Sequence, residues 1–234
     1  MKREELYERT ERVLGKEGME RLYAARVLIF GVGGVGSYAM EAIARSGVGH
    51  ITVVDADTVA PSNINRQLVA DLSTVGKDKV EVAKERILSV NPDCHVETKK
   101  MLYLPECAGE FDFSSFDYIV DCIDNVSAKL SLATEAARVG TPIISAMGTG
   151  NKLRPEMLEI SDISKTSVCP LARVMRTELR RRGIHHLKVV YSKEEPIRSA
   201  ENAGERVIGS VSFVPSVAGL MMAGEAIKDI AKGK

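Results

Sequence analysis

Four apolar residues, Val27-Leu-Ile-Phe30, run without a break into Gly31-Val-Gly-Gly-Val-Gly36, and a helical apolar period resumes at once over residues 37–46. Few patterns constrain a chain more tightly, because strand, glycine turn and helix must follow one another within a short span. Glycines at 31, 33 and 36 permit a sharp turn and let backbone N–H groups at the helix N-terminus approach a phosphate. His50-Ile-Thr-Val-Val-Asp55 supplies a second, β-branched strand, so residues 27–55 form one βαβ unit with parallel strands. Asp55, at the end of that strand, lies where a carboxylate accepts hydrogen bonds from ribose hydroxyls.

The same rhythm continues downstream. Residues 6–25 show helical spacing broken near Gly15 and Gly18, which predicts two short helices. Residues 78–90 read as a helix stopped by Asn91-Pro92, and 129–139 as a helix closed by Gly140; 95–99, 116–121 and 142–146 read as strands. This alternation predicts an α/β fold with a doubly wound, mostly parallel, Rossmann-like sheet covered by helices on both faces. After Gly150 the pattern loosens into an irregular C-terminal extension over residues 151–234, with an antiparallel addition at 157–160, a basic helix at 169–182 and a terminal helix at 216–231. The apolar fraction of 44% over 234 residues suffices for one domain spanning 1–234. The apolar runs near Val27 and Val211 are too short and too interrupted to span a bilayer. The four cysteines are scattered without a C-x-x-C pair, so the expectation is no zinc, no disulfide framework and free thiols in a reducing cytoplasm.

Charge separates two readings of the glycine loop. Asp55-x-Asp57 is followed by Ser62-Asn-Ile-Asn-Arg-Gln67 and then Lys79. A nicotinamide ring asks for an apolar slot, whereas a triphosphate asks for convergent Arg and Lys, and the second is present. Asp121-Cys-Ile-Asp-Asn125 ends a central strand at the carboxyl edge of the sheet, where open α/β folds bind ligands and where a carboxylate can hold Mg²⁺ between phosphates. An NAD-linked oxidoreductase and a non-catalytic nucleotide-sensing module stay open as alternatives at this point.

In order and spacing, these motifs resemble the superfamily of ubiquitin-activating enzymes and the bacterial adenylyltransferases of molybdopterin and thiamine synthesis, over Arg9 to about Ala146. The resemblance implies ATP-dependent adenylation of a carboxylate. It implies that ATP contacts Gly31, Gly33, Gly34, Gly36, Asp55, Asp57, Asn63, Arg66, Gln67, Lys79, Asp124 and Asn125. Asp55 would take the ribose, Asn63, Arg66 and Lys79 the phosphates, and Asp124 the Mg²⁺. Arg9 is similar to an arginine that members donate to the neighbouring subunit of a homodimer, with Arg12 as the alternative; Arg9, Arg66, Lys79 and Asp124 would then carry the chemistry. Two later segments, Asp162-Ile-Ser-Lys-Thr-Ser-Val-Cys-Pro-Leu-Ala-Arg173 and Gly209-Ser-Val-Ser-Phe-Val-Pro-Ser-Val-Ala-Gly219, resemble the tRNA threonylcarbamoyladenosine dehydratases. That likeness implies that the activated acid is carried by tRNA and that ring closure follows with loss of water. The alternative within the superfamily is adenylation of the C-terminal glycine of a sulfur-carrier protein. The resemblance further implies a monovalent cation and, as partners, tRNA and a sulfur-carrier or cysteine-desulfurase-type protein.

Lys plus Arg and Asp plus Glu are balanced at 32 each, so attraction to a polyanion has to come from a local patch. Arg173, Arg176, Arg180, Arg181, Arg182 and Lys188 cluster against a single Glu178. Arg173, Arg176 and Arg180 fall on one helical face, a stripe suited to tracking a phosphate backbone. Cys169, before Pro170 at a helix start, reads either as an acyl-accepting thiolate or as a packing residue.

Overall fold

The structure, a computed structural model, describes residues 3–197 and 208–233; residues 198–207, within the expected C-terminal extension, lie outside it. Helix α1 (Arg3–Ala24) is two helices meeting at Gly15, whose φ of 77° and ψ of 164° are non-helical. Strand β1 (Arg26–Phe30), helix α2 (Gly36–Arg45) and strand β2 (His50–Val54) are the expected βαβ unit. Helix α3 (Lys79–Val90), β3 (His95–Lys99), β4 (Tyr118–Asp121), α4 (Val126–Val139) and β5 (Ile143–Ala146) follow, and then β6 (Leu158–Asp162), α5 (Pro170–Arg181), β7 (Lys188–Ser192) and α6 (Phe213–Lys232).

The seven strands form one sheet in the order β3-β2-β1-β4-β5-β7-β6, in which only the β6/β7 pair is antiparallel. Strand order reverses direction between β1 and β4, and such a switch point opens a crevice at the carboxyl edge. Two helices start three residues earlier than their apolar periods indicate. Asn125 caps α4, its Oδ1 accepting the Ala128 N–H at 3.0 Å, and α6 takes Pro215 into its first turn, where a missing N–H is tolerated. Strand β7 is not among the elements that the sequence pattern predicts: Lys188 belongs to the basic stretch by charge, yet Val189-Val190-Tyr191 is as buried as the central strands.

One face of the sheet packs against α1, α2, α3 and α6 through Val27, Ile29, Met40, Val53, Ala218 and Met222. On the other, Phe30 meets Tyr103, Phe111 and Phe113, with ring centroids 4.8 to 6.4 Å apart, beneath α4. The glycine loop is held by contacts that admit no side chain. A methyl group on Gly36 would sit 1.8 Å from the Gly31 carbonyl oxygen, and one on Gly219 of α6 would sit 2.2 Å from the Val35 carbonyl oxygen. Among the described residues, no helix is long and apolar enough to cross a membrane.

Candidate active site

A cavity of about 600 Å³ opens at the β1/β4 switch point, lined by the glycine loop, the ends of β2, β4 and β5, Ile208 and Ser210 from the approach to α6, and Pro215 from its first turn. Its geometry begins with Asp55. One carboxylate oxygen accepts the Val32 N–H at 2.6 Å and the other the Asp57 N–H at 2.9 Å, so the acid is fixed between the glycine loop and the turn after β2. Lys79 is only 4% exposed, and its Nζ donates to Asp57 Oδ2 at 2.8 Å. A buried ammonium needs such a partner, because desolvation without one is costly. Arg66 reaches the same cavity with its guanidinium held by the Ser62 carbonyl and Asn65 Oδ1, both at 2.9 Å.

Asp124 stands exposed on the opposite wall. The turn that carries it rests on a fully buried polar cluster. Asp121 accepts from Lys129 Nζ at 2.8 Å, from Ser145 Oγ at 2.6 Å and from the Ile123 N–H at 3.1 Å, while Lys129 also donates to the Ile123 carbonyl at 3.0 Å. Removing either charge would leave the other buried and unpaired, a loss of about 3–5 kcal/mol. The sequence reading passed over Asp121, Lys129 and Ser145; the available signal was an acid inside an apolar strand followed by a lysine in the first turn of the next helix.

The ThiF family profile matches residues 7–233 of the chain. This chain belongs to the ThiF family. A relative named tRNA threonylcarbamoyladenosine dehydratase from Bacillus subtilis is 44% identical over 240 residues, covering 97% of this chain and 94% of that protein. The crystal structure of the Escherichia coli tRNA N6-threonylcarbamoyladenosine dehydratase TcdA in complex with ATP superposes with a TM-score of 0.90 at 29% identity, covering 98% of this chain and 95% of that one. The adenylyltransferase and sulfurtransferase uba4 of Aspergillus niger is 32% identical over 57% of this chain, which spans 27% of that protein.

Within this ThiF-family site, the expected residues separate into two groups. Gly31, Gly33, Gly34, Asp55, Asp57, Arg66, Lys79 and Asp124 line the cavity. Asn63, Gln67, Asn125 and Gly36, also expected to contact ATP, are not among the residues that line it. Asn63 folds the loop: its Oδ1 accepts the Ala60 N–H at 3.1 Å and its carbonyl accepts the Arg66 and Gln67 N–H groups, which aims Arg66. Asn125 is occupied as the α4 cap, and Gly36 is a packing glycine. Gln67 is buried behind Gly33, with Oε1 unpaired among the described residues.

Arg9 and Arg12 are exposed and away from the cavity of their own chain. Their half of α1 packs near Gly47, at the amino edge of the sheet. Arg12 is paired with Glu8 at 2.5 Å, whereas Arg9 has no such pairing among the described residues.

The basic stripe is narrower than its spacing predicts. Arg176 folds back on Thr166, its Nη1 donating to the carbonyl at 2.8 Å and to Oγ1 at 2.6 Å. Arg181 and Arg182 share Glu178, and Lys188 is paired with Glu225 and Asp229 across to α6. Arg173 and Arg180 are left exposed without ion pairs among the described residues. Cys169 is buried as the residue capping α5, close against Gly148. Burial, reinforced by the neighbouring Asp121 carboxylate, pushes the Cys122 thiol well above its ordinary value, which fits packing and not nucleophilic attack.

Proposed function

We propose that this ThiF-family chain is an ATP-dependent tRNA threonylcarbamoyladenosine dehydratase. The observation that carries the reading is the 44% identity to a dehydratase of that name over nearly the full length of both chains; the cavity, with a ribose acid, a glycine loop, a cation pair and a carboxylate in order, supplies the matching chemistry. The substrate carboxylate attacks the α-phosphorus of ATP, the bond to pyrophosphate breaks, and an acyl-adenylate forms. The substrate's own carbamoyl group then attacks the acyl carbon, AMP leaves and a ring closes, for a net loss of one water.

Most of the protein's contribution is positional and electrostatic. Asp55 orients the ribose. Lys79 and Arg66 offset charge on the phosphates. Asp124 fits the role of a Mg²⁺ ligand, because Mg²⁺ bound to ATP takes one or two carboxylates and completes its shell with phosphate oxygens and water; the described residues contain no group of three or more metal-binding side chains that would form a separate cage. The ion, when bound, offsets phosphate charge at that wall.

The working unit is a homodimer in which Arg9 reaches the partner's site, a reading supported by its exposure and its distance from the cavity of its own chain. Arg173 and Arg180 on α5 meet the tRNA backbone. A cytoplasmic setting follows from a tRNA substrate.

The deciding measurement is ATP-dependent pyrophosphate and AMP release with tRNA bearing threonylcarbamoyladenosine, alongside a panel of small sulfur-carrier proteins with C-terminal glycine. Release with tRNA, with the modified nucleoside losing one water, is expected; release only with a carrier would replace this reading with the adenylyltransferase one.

A further inference from the structure

The strand order lays the cavity out like a ruler. Moving across β3, β2, β1, β4 and β5, the loops that meet it carry Tyr103, Asp55, the glycine turn, Asp124 and residues 146–150. A nucleotide with its ribose on β2 and its phosphates over the β1 turn therefore points its reacting end toward β4 and β5. The loop after β5 is thus the first structure that the substrate acid meets.

A short strap crosses that loop. Asn151 donates its N–H to the Gly209 carbonyl at 2.8 Å and accepts the Gly209 N–H on Oδ1 at 2.7 Å, a two-point clamp. One residue further on, Asn65 Nδ2 donates to the Ser210 carbonyl at 3.0 Å. Asn151 holds a φ of 55°, a conformation asparagine accepts more readily than most residues. The approach is so close that a methyl group on Gly150 would lie 2.2 Å from Ile208 Cγ2. Held in this way, Ile208 is 71% exposed yet faces the cavity, beside Ser210, Thr149 and Leu171.

We infer that this strap forms the acyl-side wall of the site and that Asn151 is its positioning residue. The inference rests on the dehydratase reading for the identity of the acid. Two hydroxyl-bearing residues and two branched apolar ones suit an acyl group that carries both a hydroxyl and a methyl. Asn151 does not line the cavity itself; it acts by fixing the strap.

The test compares Asn151→Gly, which keeps the positive φ and loses the Oδ1 acceptor, with Asn151→Asp, which keeps an acceptor. In Asn151→Gly, KM for threonylcarbamoyladenosine-bearing tRNA is expected to rise about tenfold while kcat changes less than about twofold and ATP affinity by calorimetry stays put. Asn151→Asp is expected to remain within about twofold of the unmodified enzyme in all three. Hydrogen exchange at the Gly209 amide should quicken in the glycine variant alone. An unchanged KM in Asn151→Gly, an equal loss of ATP affinity, or an aspartate variant as impaired as the glycine one would each overturn the inference. If the unmodified enzyme released no pyrophosphate with tRNA, the dehydratase reading would fall, and the identity of the acid with it. The Gly209 exchange would still decide the clamp, with unchanged exchange in Asn151→Gly refuting it.

Discussion

The two ends of the cavity are built by different means. At the nucleotide end, shape is set by backbone pressed on backbone: methyl groups on Gly31, Gly36 or Gly219 would lie 2.9, 1.8 and 2.2 Å from the nearest carbonyl oxygens. At the other end, shape depends on side chains that hold loops, with Asn151 and Asn65 gripping residues 209 and 210. The part that receives ATP is rigid because a side chain at any of those glycines would collide. The strap end hangs instead on two asparagine side chains, so its shape can change with a polar residue and without moving the sheet. Such a division lets one fold keep its phosphate chemistry while changing its substrate.

The comparison can be broken at several strengths. The largest expected effect is chemical: Asp124→Ala should lower pyrophosphate release by more than about a thousandfold. Because Asp124 is exposed and has no ion pair among the described residues, the melting temperature should hold; near-normal turnover would remove Asp124 from the phosphate chemistry.

Next comes the rigidity of the nucleotide end. Gly219→Ala should cost about 2–4 kcal/mol in denaturant unfolding, because the new methyl meets backbone that has nowhere to go. ATP affinity should fall with it. Gly224→Ala in the same helix, with open space at its Cβ position, should instead stabilise by about 0.5–1 kcal/mol through helix propensity. Equal effects at the two positions would mean that α6 does not brace the loop.

A smaller effect is expected outside the cavity. Replacing Arg173 and Arg180 with Glu should weaken tRNA binding about tenfold at moderate salt and flatten its salt dependence, with ATP affinity unchanged. Unaltered tRNA affinity at low and moderate salt would clear α5 of contact with tRNA. Arg176 is the wrong target for that experiment, since its loss would free Thr166.

Last, mixing inactive Arg9→Ala and Asp124→Ala subunits should recover about a quarter of wild-type activity, because half the dimers would be mixed and one of their two sites intact. No recovery after verified subunit exchange would place each site within one chain, or remove Arg9 as the donor.

What the sequence disclosed follows the same division. The glycine spacing, Asp55 and the order of strands from β1 to β5 were legible because each carries a local signal: period, turn residue or strand-end charge. The motif implies that Asn63 and Asn125 contact ATP, and the structure adds that their Oδ1 atoms fold the loop and cap α4, a local role that spacing does not encode. The Arg173-Arg176-Arg180 stripe was legible as a helical face, yet Thr166 captures its middle member from ten residues earlier in the chain. The segment that begins at Gly209 was legible as a motif, but its pairing with Asn151 was not, since the two meet only after β6, α5 and β7 have been laid down between them.

The bracing of the glycine loop by α6 sets a schedule for synthesis. On the ribosome, β1 and α2 emerge early, but Gly219 and Pro215, which back Val35 and Gly34, are translated far later. Until α6 has cleared the exit tunnel the loop has no floor, and a nascent chain that already displays Asp55, Lys79 and Asp124 lacks the surface that holds its phosphate turn in shape. The packing behind the phosphate turn is therefore completed only after α5 and the strap residues have been made. The order of the chain thus ties the shape of the phosphate turn to the last helix made.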